Sequence, residues 1–70
     1  MSRIYTFMNE REDLKIITGD IYWGWNFEWM LKEPDCNIDN NFGIMPLNTW
    51  CVVKSYELNM CGVWKLVKIN

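Results

Sequence analysis

The sequence predicts an all-β fold, a small barrel or sandwich of five or six short strands. Three observations carry this. Apolar and β-branched residues alternate with polar ones at 3–7, 14–18 and 49–53, the period of a half-buried strand. Turn formers separate these runs: Gly19-Asp20, the stretch E-P-D-C-N-I-D-N-N-F at 33–42, and Asn59. Ile21, Trp23, Trp25, Phe27, Trp29 and Leu31 fall on alternate positions, and a helical reading of 25–33 fits fewer of them.

Each element has a local reason. Residues 3–7 alternate, with Tyr5 and Phe7 on one face and Ile4 and Thr6 on the other. Residues 8–13 are polar and acidic and predict a loop. Residues 14–18 contain Ile16, Ile17 and Thr18 and predict a strand. Gly19 accepts a tight turn and Asp20 bonds its own backbone, so the next strand starts at Ile21. Gly24 and Asn26 are poor strand interiors and predict a split into strands at 21–25 and 29–32. A short strand at 43–45 stops at Pro46, which cannot donate to a ladder. Asn48 is placed to cap a one-turn bend with its side-chain oxygen. Residues 61–70 are strand-like.

At 70 residues there is room for one domain. A chain this short buries only about 60% of its unfolded surface, so its stability is marginal. Five Trp, three Tyr and three Phe help, because each buried aromatic removes roughly 150–250 Å² from water. With 50% hydrophobic and 23% charged residues, the composition is that of a globular protein.

The net charge of −2 is unevenly spread. Residues 1–39 hold eight carboxylates against four bases, and residues 40–70 hold Lys54, Lys65 and Lys68 against Glu57. The acidic half argues against a nucleic-acid partner. Cys36, Cys51 and Cys61 lack C-x-x-C spacing and the chain has no His, so no metal site or cofactor is expected. Three reduced thiols fit an intracellular protein, while a Cys51–Cys61 bridge across a hairpin stays open. No apolar run is long enough for a signal peptide or a membrane span, so a membrane association is not expected. Enzymatic function has little support, because no nucleophile stands beside a plausible base and no Gly-rich phosphate loop is present.

Four motifs in order resemble the Src homology 3 domain family over about residues 3–53. Arg3-Ile4-Tyr5-Thr6-Phe7 stands where that family has an A-L-Y-D-Y-like strand. Glu12-Asp13-Leu14-Lys15-Ile16-Ile17-Thr18-Gly19-Asp20 matches its D-E-L-S-F-x-x-G-D-like segment. Trp29-Met30-Leu31 stands at the W-W-x-A-like strand, and Gly43-Ile44-Met45-Pro46-Leu47-Asn48-Thr49-Trp50 at the G-x-[IFL]-P-x-N-Y-V-like segment. Thr49 departs from the family's Tyr and Met30 from its second Trp.

The resemblance implies a Src-homology-3-like barrel at 1–53 with a β extension at 54–70. It also implies an aromatic groove of Tyr5, Phe7, Trp29 and Pro46 that receives a proline-rich peptide in polyproline II form. Asn48 and Trp50 complete that candidate surface. Glu10, Glu12 and Asp13 are the candidates for selecting a basic residue beside the prolines. Val63, Trp64, Leu66, Val67 and Ile69 are too apolar for a free tail, so the extension is expected to pack on the barrel or on a partner.

Two functions of different class follow. One is a non-enzymatic adaptor for proline-rich peptides. The other is a free-standing accessory or inhibitor protein that uses the barrel as a scaffold to bind one folded partner. A chain that begins at its own Met1 and is rich in Asn and Ile, as AT-rich phage genomes encode, fits the second.

Overall fold

The alternating runs form five strands in the computed structural model, which describes residues 2–20, 25–32 and 44–70. These are β1 (Arg3–Asn9), β2 (Leu14–Gly19), β3 (Glu28–Leu31), β4 (Trp50–Ser55) and β5 (Met60–Ile69). All five lie in one antiparallel sheet in the order β2-β1-β5-β4-β3. The fold is therefore all-β, and no helix among the described residues is long and apolar enough to cross a membrane.

The expected barrel does not close. β2 and β3 are the two ends of the strand order, and no ladder joins them among the described strands. The chain leaving β2 lays aromatic rings on the inner face instead. The Trp25 ring meets Tyr5 edge-on at 5.5 Å, and Phe27 lies 5.9 Å from Phe7. Trp25 also covers Gly19 so closely that a Cβ there would sit 2.5 Å from its ring, which is why Gly is needed beyond the turn.

Residues 54–70 are not an appendage to a unit ending at residue 53. β5 is the middle strand, paired with β1 on one side and β4 on the other. The boundary at residue 53 would cut β4. β5 brings Met60 and Leu66, both fully buried, and the half-buried Trp64 and Ile69 to the inner face.

A register shift between Thr6 and Phe7 makes β5 bulge at Val67. Thr6 faces Lys68 and Phe7 faces Leu66, so one residue of β5 has no counterpart. The consequence follows from the period of two. Without the extra residue, Lys68 would share a face with Leu66, which is fully buried. With it, Leu66 and Ile69 turn inward while Lys65 and Lys68 turn outward.

The core sits on the inner face. Tyr5, Phe7, Phe27, Trp29, Met45, Cys51, Val53, Met60 and Leu66 are buried, with Ile17, Trp25, Leu31, Trp64 and Ile69 packed against them. The described part of the alternating aromatic row, from Trp25 to Leu31, thus faces the core. Among the described residues 25–32, Glu28–Leu31 is strand and Trp25 to Phe27 are not. The strand expected at 21–25 and the loop at 33–42 lie outside the described residues, apart from Trp25. Ile44 and Met45 are not strand, but Leu47 makes an isolated parallel bridge to Leu66.

The turn between β4 and β5 matches its chemistry. Tyr56–Asn59 joins β4 to β5, with Asn59 at φ 55°, its N–H donating to the Tyr56 carbonyl at 3.2 Å. The buried Ser55 hydroxyl accepts from the Leu58 N–H at 3.3 Å.

Cys51 and Cys61 are both free, and a bridge between them is excluded by the register. Cys51 faces Trp64 while Cys61 faces Lys54, and the two thiols project from opposite faces. Burial pushes the Cys51 thiol up from its ordinary 9.0 to about 11. Alkylation of the folded protein by iodoacetamide at about pH 8 should modify Cys61 and leave Cys51 intact until denaturant is added. Peptide mapping checks this, and labelling of native Cys51 would contradict its place in the core. The sign of the pH effect follows. Above pH 9 the unfolded chain releases the Cys51 proton and the fold does not, so stability falls between pH 9.0 and about 11.

Candidate functional site

The residues implied by the family resemblance do not gather into an aromatic groove. Tyr5 and Phe7 have no exposed surface and Trp29 is 9% exposed. They share the inner face of the sheet, and their rings form the core instead of a surface floor. The reason is that β1 has two apolar faces, and the chain after β2 covers the one that carries the aromatics. Of the remaining groove residues, Pro46 and Asn48 are exposed and Trp50 is half-buried. Asn48 does not cap a helical bend through its side chain. It takes a left-handed turn conformation, φ 56°, and its backbone N–H donates to the Leu66 carbonyl at 2.7 Å.

The acidic loop is a tight hairpin connection built by Asn9, a residue that the sequence reading passed over. The Asn9 Oδ1 accepts from the N–H groups of Arg11 and Asp13, both at 2.9 Å. The Asn9 Nδ2 donates to the Asp13 carboxylate at 3.2 Å. Glu12 completes the turn at φ 67°. The signal was an Asn at the first position of a polar run after a strand, which is an Asx-turn pattern. Glu10 pairs with Lys32 at 2.9 Å across one end of the sheet. Both side chains are about half exposed, so the pair adds at most about 1 kcal/mol. Of the three loop carboxylates, Glu12 is exposed at the tip, its N–H donating to the Asn9 carbonyl at 3.0 Å.

The outer face of the sheet presents a different surface. Strand alternation and register place Leu14, Ile16 and Thr18 of β2 beside Met8, Thr6 and Ile4 of β1 on that face. Leu14 is 61% and Ile16 63% exposed, and Ile4 is also open. At the other flank, Val52 of β4 pairs with Met30 of β3, and both are exposed. Glu28, Met30, Val52 and Lys54 line a shallow groove of about 280 Å³ there, with Trp29 at its base.

Lysines run between the two apolar flanks. Lys68 lies opposite Thr6, and Lys65 lies opposite both Met8 and Trp50. The Lys65 ammonium sits 4.6 Å from the centre of the Trp50 ring. Lys54 repeats the arrangement with Tyr56 at 5.4 Å, and Tyr56 is 72% exposed at the turn. An ammonium over an aromatic face is held in place by the ring quadrupole, so these lysines are oriented as well as charged.

This arrangement offers apolar area and oriented cations on one sheet face, which suit the recognition of another macromolecule. Comparisons with protein-family models, with curated proteins and with solved structures find no match for the chain.

Proposed function

We propose that this is a non-enzymatic interaction protein that binds one folded protein partner through the outer face of its sheet. The observation that carries the reading is the set of large aliphatic side chains open on that face: Ile4, Leu14, Ile16, Met30 and Val52. Monomers rarely leave contiguous apolar patches of more than a few hundred Å² in water, and those that do use them for recognition. A broad sheet face suits a folded partner better than an isolated proline-rich peptide, which needs a narrow aromatic groove. The motif order over residues 3–53 supports a Src-homology-3-like origin for the strands, while the binding surface rests on the exposed residues of the outer face. This favours the accessory or inhibitor class over the peptide adaptor.

The test is affinity capture from the source cells with wild-type bait and with the Leu14→Gln/Ile16→Gln double variant. Both positions are more than half exposed, so the variant is expected to fold with an unchanged circular dichroism spectrum. The expected result is a partner retained by the wild type and lost by the variant. Equal retention by both would refute the outer face as the binding surface.

A further inference from the structure

The outer face carries net positive charge on an acidic protein, and we infer that its partner docks an acidic, apolar protein segment along β5. This deepens the outer-face reading and rests on it. Among the described strand residues, that face carries Lys54, Lys65 and Lys68 against one carboxylate, Glu28, a net of +2. The whole chain carries −2, so everything else in the sequence sums to −4. The inner side of the strands is basic too, through Arg3 and Lys15, and all the carboxylates but Glu28 lie outside the five described strands; the Val67 bulge is what turns both β5 lysines to the outer face. Lys54 lies beside Glu28 in the β3–β4 ladder, at the margin of the face, whereas Lys65 and Lys68 lie on its central strand.

Geometry selects among anionic partners. The lysines of β5 run between the Leu14–Ile16 flank and the Val52–Met30 flank. Neighbouring strands are about 4.8 Å apart, so β2 and β4 lie roughly 14 Å apart across β1 and β5. A helix with its side chains is about 10–12 Å wide and fits that span, with acidic residues over the lysines and apolar residues on both flanks. Single-stranded nucleic acid would also meet the lysines, but it brings no aliphatic surface for Leu14, Ile16 and Ile4. The complementary occupant is therefore a polypeptide that carries both carboxylates and aliphatic side chains.

The experiment uses the full chain and four fluorescein-labelled probes. Three are amphipathic peptides of about 14 residues, built from Leu with Glu, Leu with Lys or Leu with Ser, and the fourth is an oligothymidine of similar length. Binding is read by anisotropy at about 20 mM and about 300 mM salt. The Leu–Glu peptide should bind at least about tenfold more tightly than the Leu–Ser peptide, and high salt should erase most of that difference. The Lys54→Gln/Lys65→Gln/Lys68→Gln variant should lose the preference, and an Arg3→Gln/Lys15→Gln variant, altered on the inner side of the β1–β2 edge, should keep it. If the triple variant does not fold, the exposed Lys68→Glu alone should reduce Leu–Glu binding. Equal binding of the Leu–Ser and Leu–Glu peptides would overturn the acidic segment and leave the outer-face reading standing. Tighter binding of oligothymidine would overturn it in favour of nucleic acid, and failure of every probe to bind would overturn it outright.

Discussion

Truncation after Val53 should abolish folding. The cut removes the end of β4 and all of β5, which among the described strands alone joins the β1–β2 hairpin to β4 and β3. It also deletes Met60 and Leu66, both fully buried, and the half-buried Trp64 and Ile69. Each fully buried side chain of this size contributes about 1.5–3 kcal/mol. Two of them and the two β5 ladders together exceed the roughly 5 kcal/mol at the low end of small-domain stability. The two hairpins left behind would share no ladder, and isolated hairpins are marginal in water. The expected truncated chain lacks a cooperative thermal transition in circular dichroism and aggregates. A sheet spectrum that melts cooperatively near the wild-type temperature would show that β5 is dispensable, and with it the sheet order described above.

Trp29→Ala should cost about 3–5 kcal/mol, the range for a large aromatic removed from a core. Trp29 is almost fully buried on β3 and paired with Val53, itself buried on β4. No group of its size is available to fill the space, and in a chain of 70 residues such a loss approaches the whole stability. The neighbouring Met30→Ala should change stability by less than about 0.5 kcal/mol, because Met30 points to the outer face and is exposed. Urea unfolding of the two variants makes the comparison. A Trp29→Ala protein as stable as the wild type would return Trp29 to the surface and revive the aromatic groove.

The same alternation that exposed the strands to a sequence reading also concealed the binding face. A period of two tells which residues share a face, and so Trp25, Phe27, Trp29 and Leu31 were legible as one row. It does not tell which face the rest of the chain will cover. In β1 both faces are apolar enough to bury, Tyr5 with Phe7 on one side and Ile4 with Met8 on the other. Only the crossing of Trp25 and Phe27 over Tyr5 and Phe7 decides between them. Of the groove residues implied by the family resemblance, Tyr5, Phe7 and Trp29 therefore lie in the core, while Pro46 stays exposed. The alternation in residues 14–18 marks a strand without saying which face is covered, and Leu14 and Ile16 stand open on the edge strand of the sheet.

The sequence by itself determined the all-β class, the strands that start at Arg3 and Leu14, and the turn residue Asn59. These rest on interactions within a few residues: strand alternation and Asn tolerance of positive φ. The strand expected at 3–7 runs on to Asn9, two residues into the expected loop, because the Asn9 side chain makes the turn. The tertiary structure alone decided the strand order, the central place of β5, the bulge at Val67 and the open sheet. Each of these is a choice among partners far apart along the chain. Leu66 meets Phe7 across nearly the whole length of the protein, and Lys65 meets Trp50 from the next strand but not from its own. Local propensity is equal for many such pairings, and the competition among them is settled by which apolar faces can be buried together.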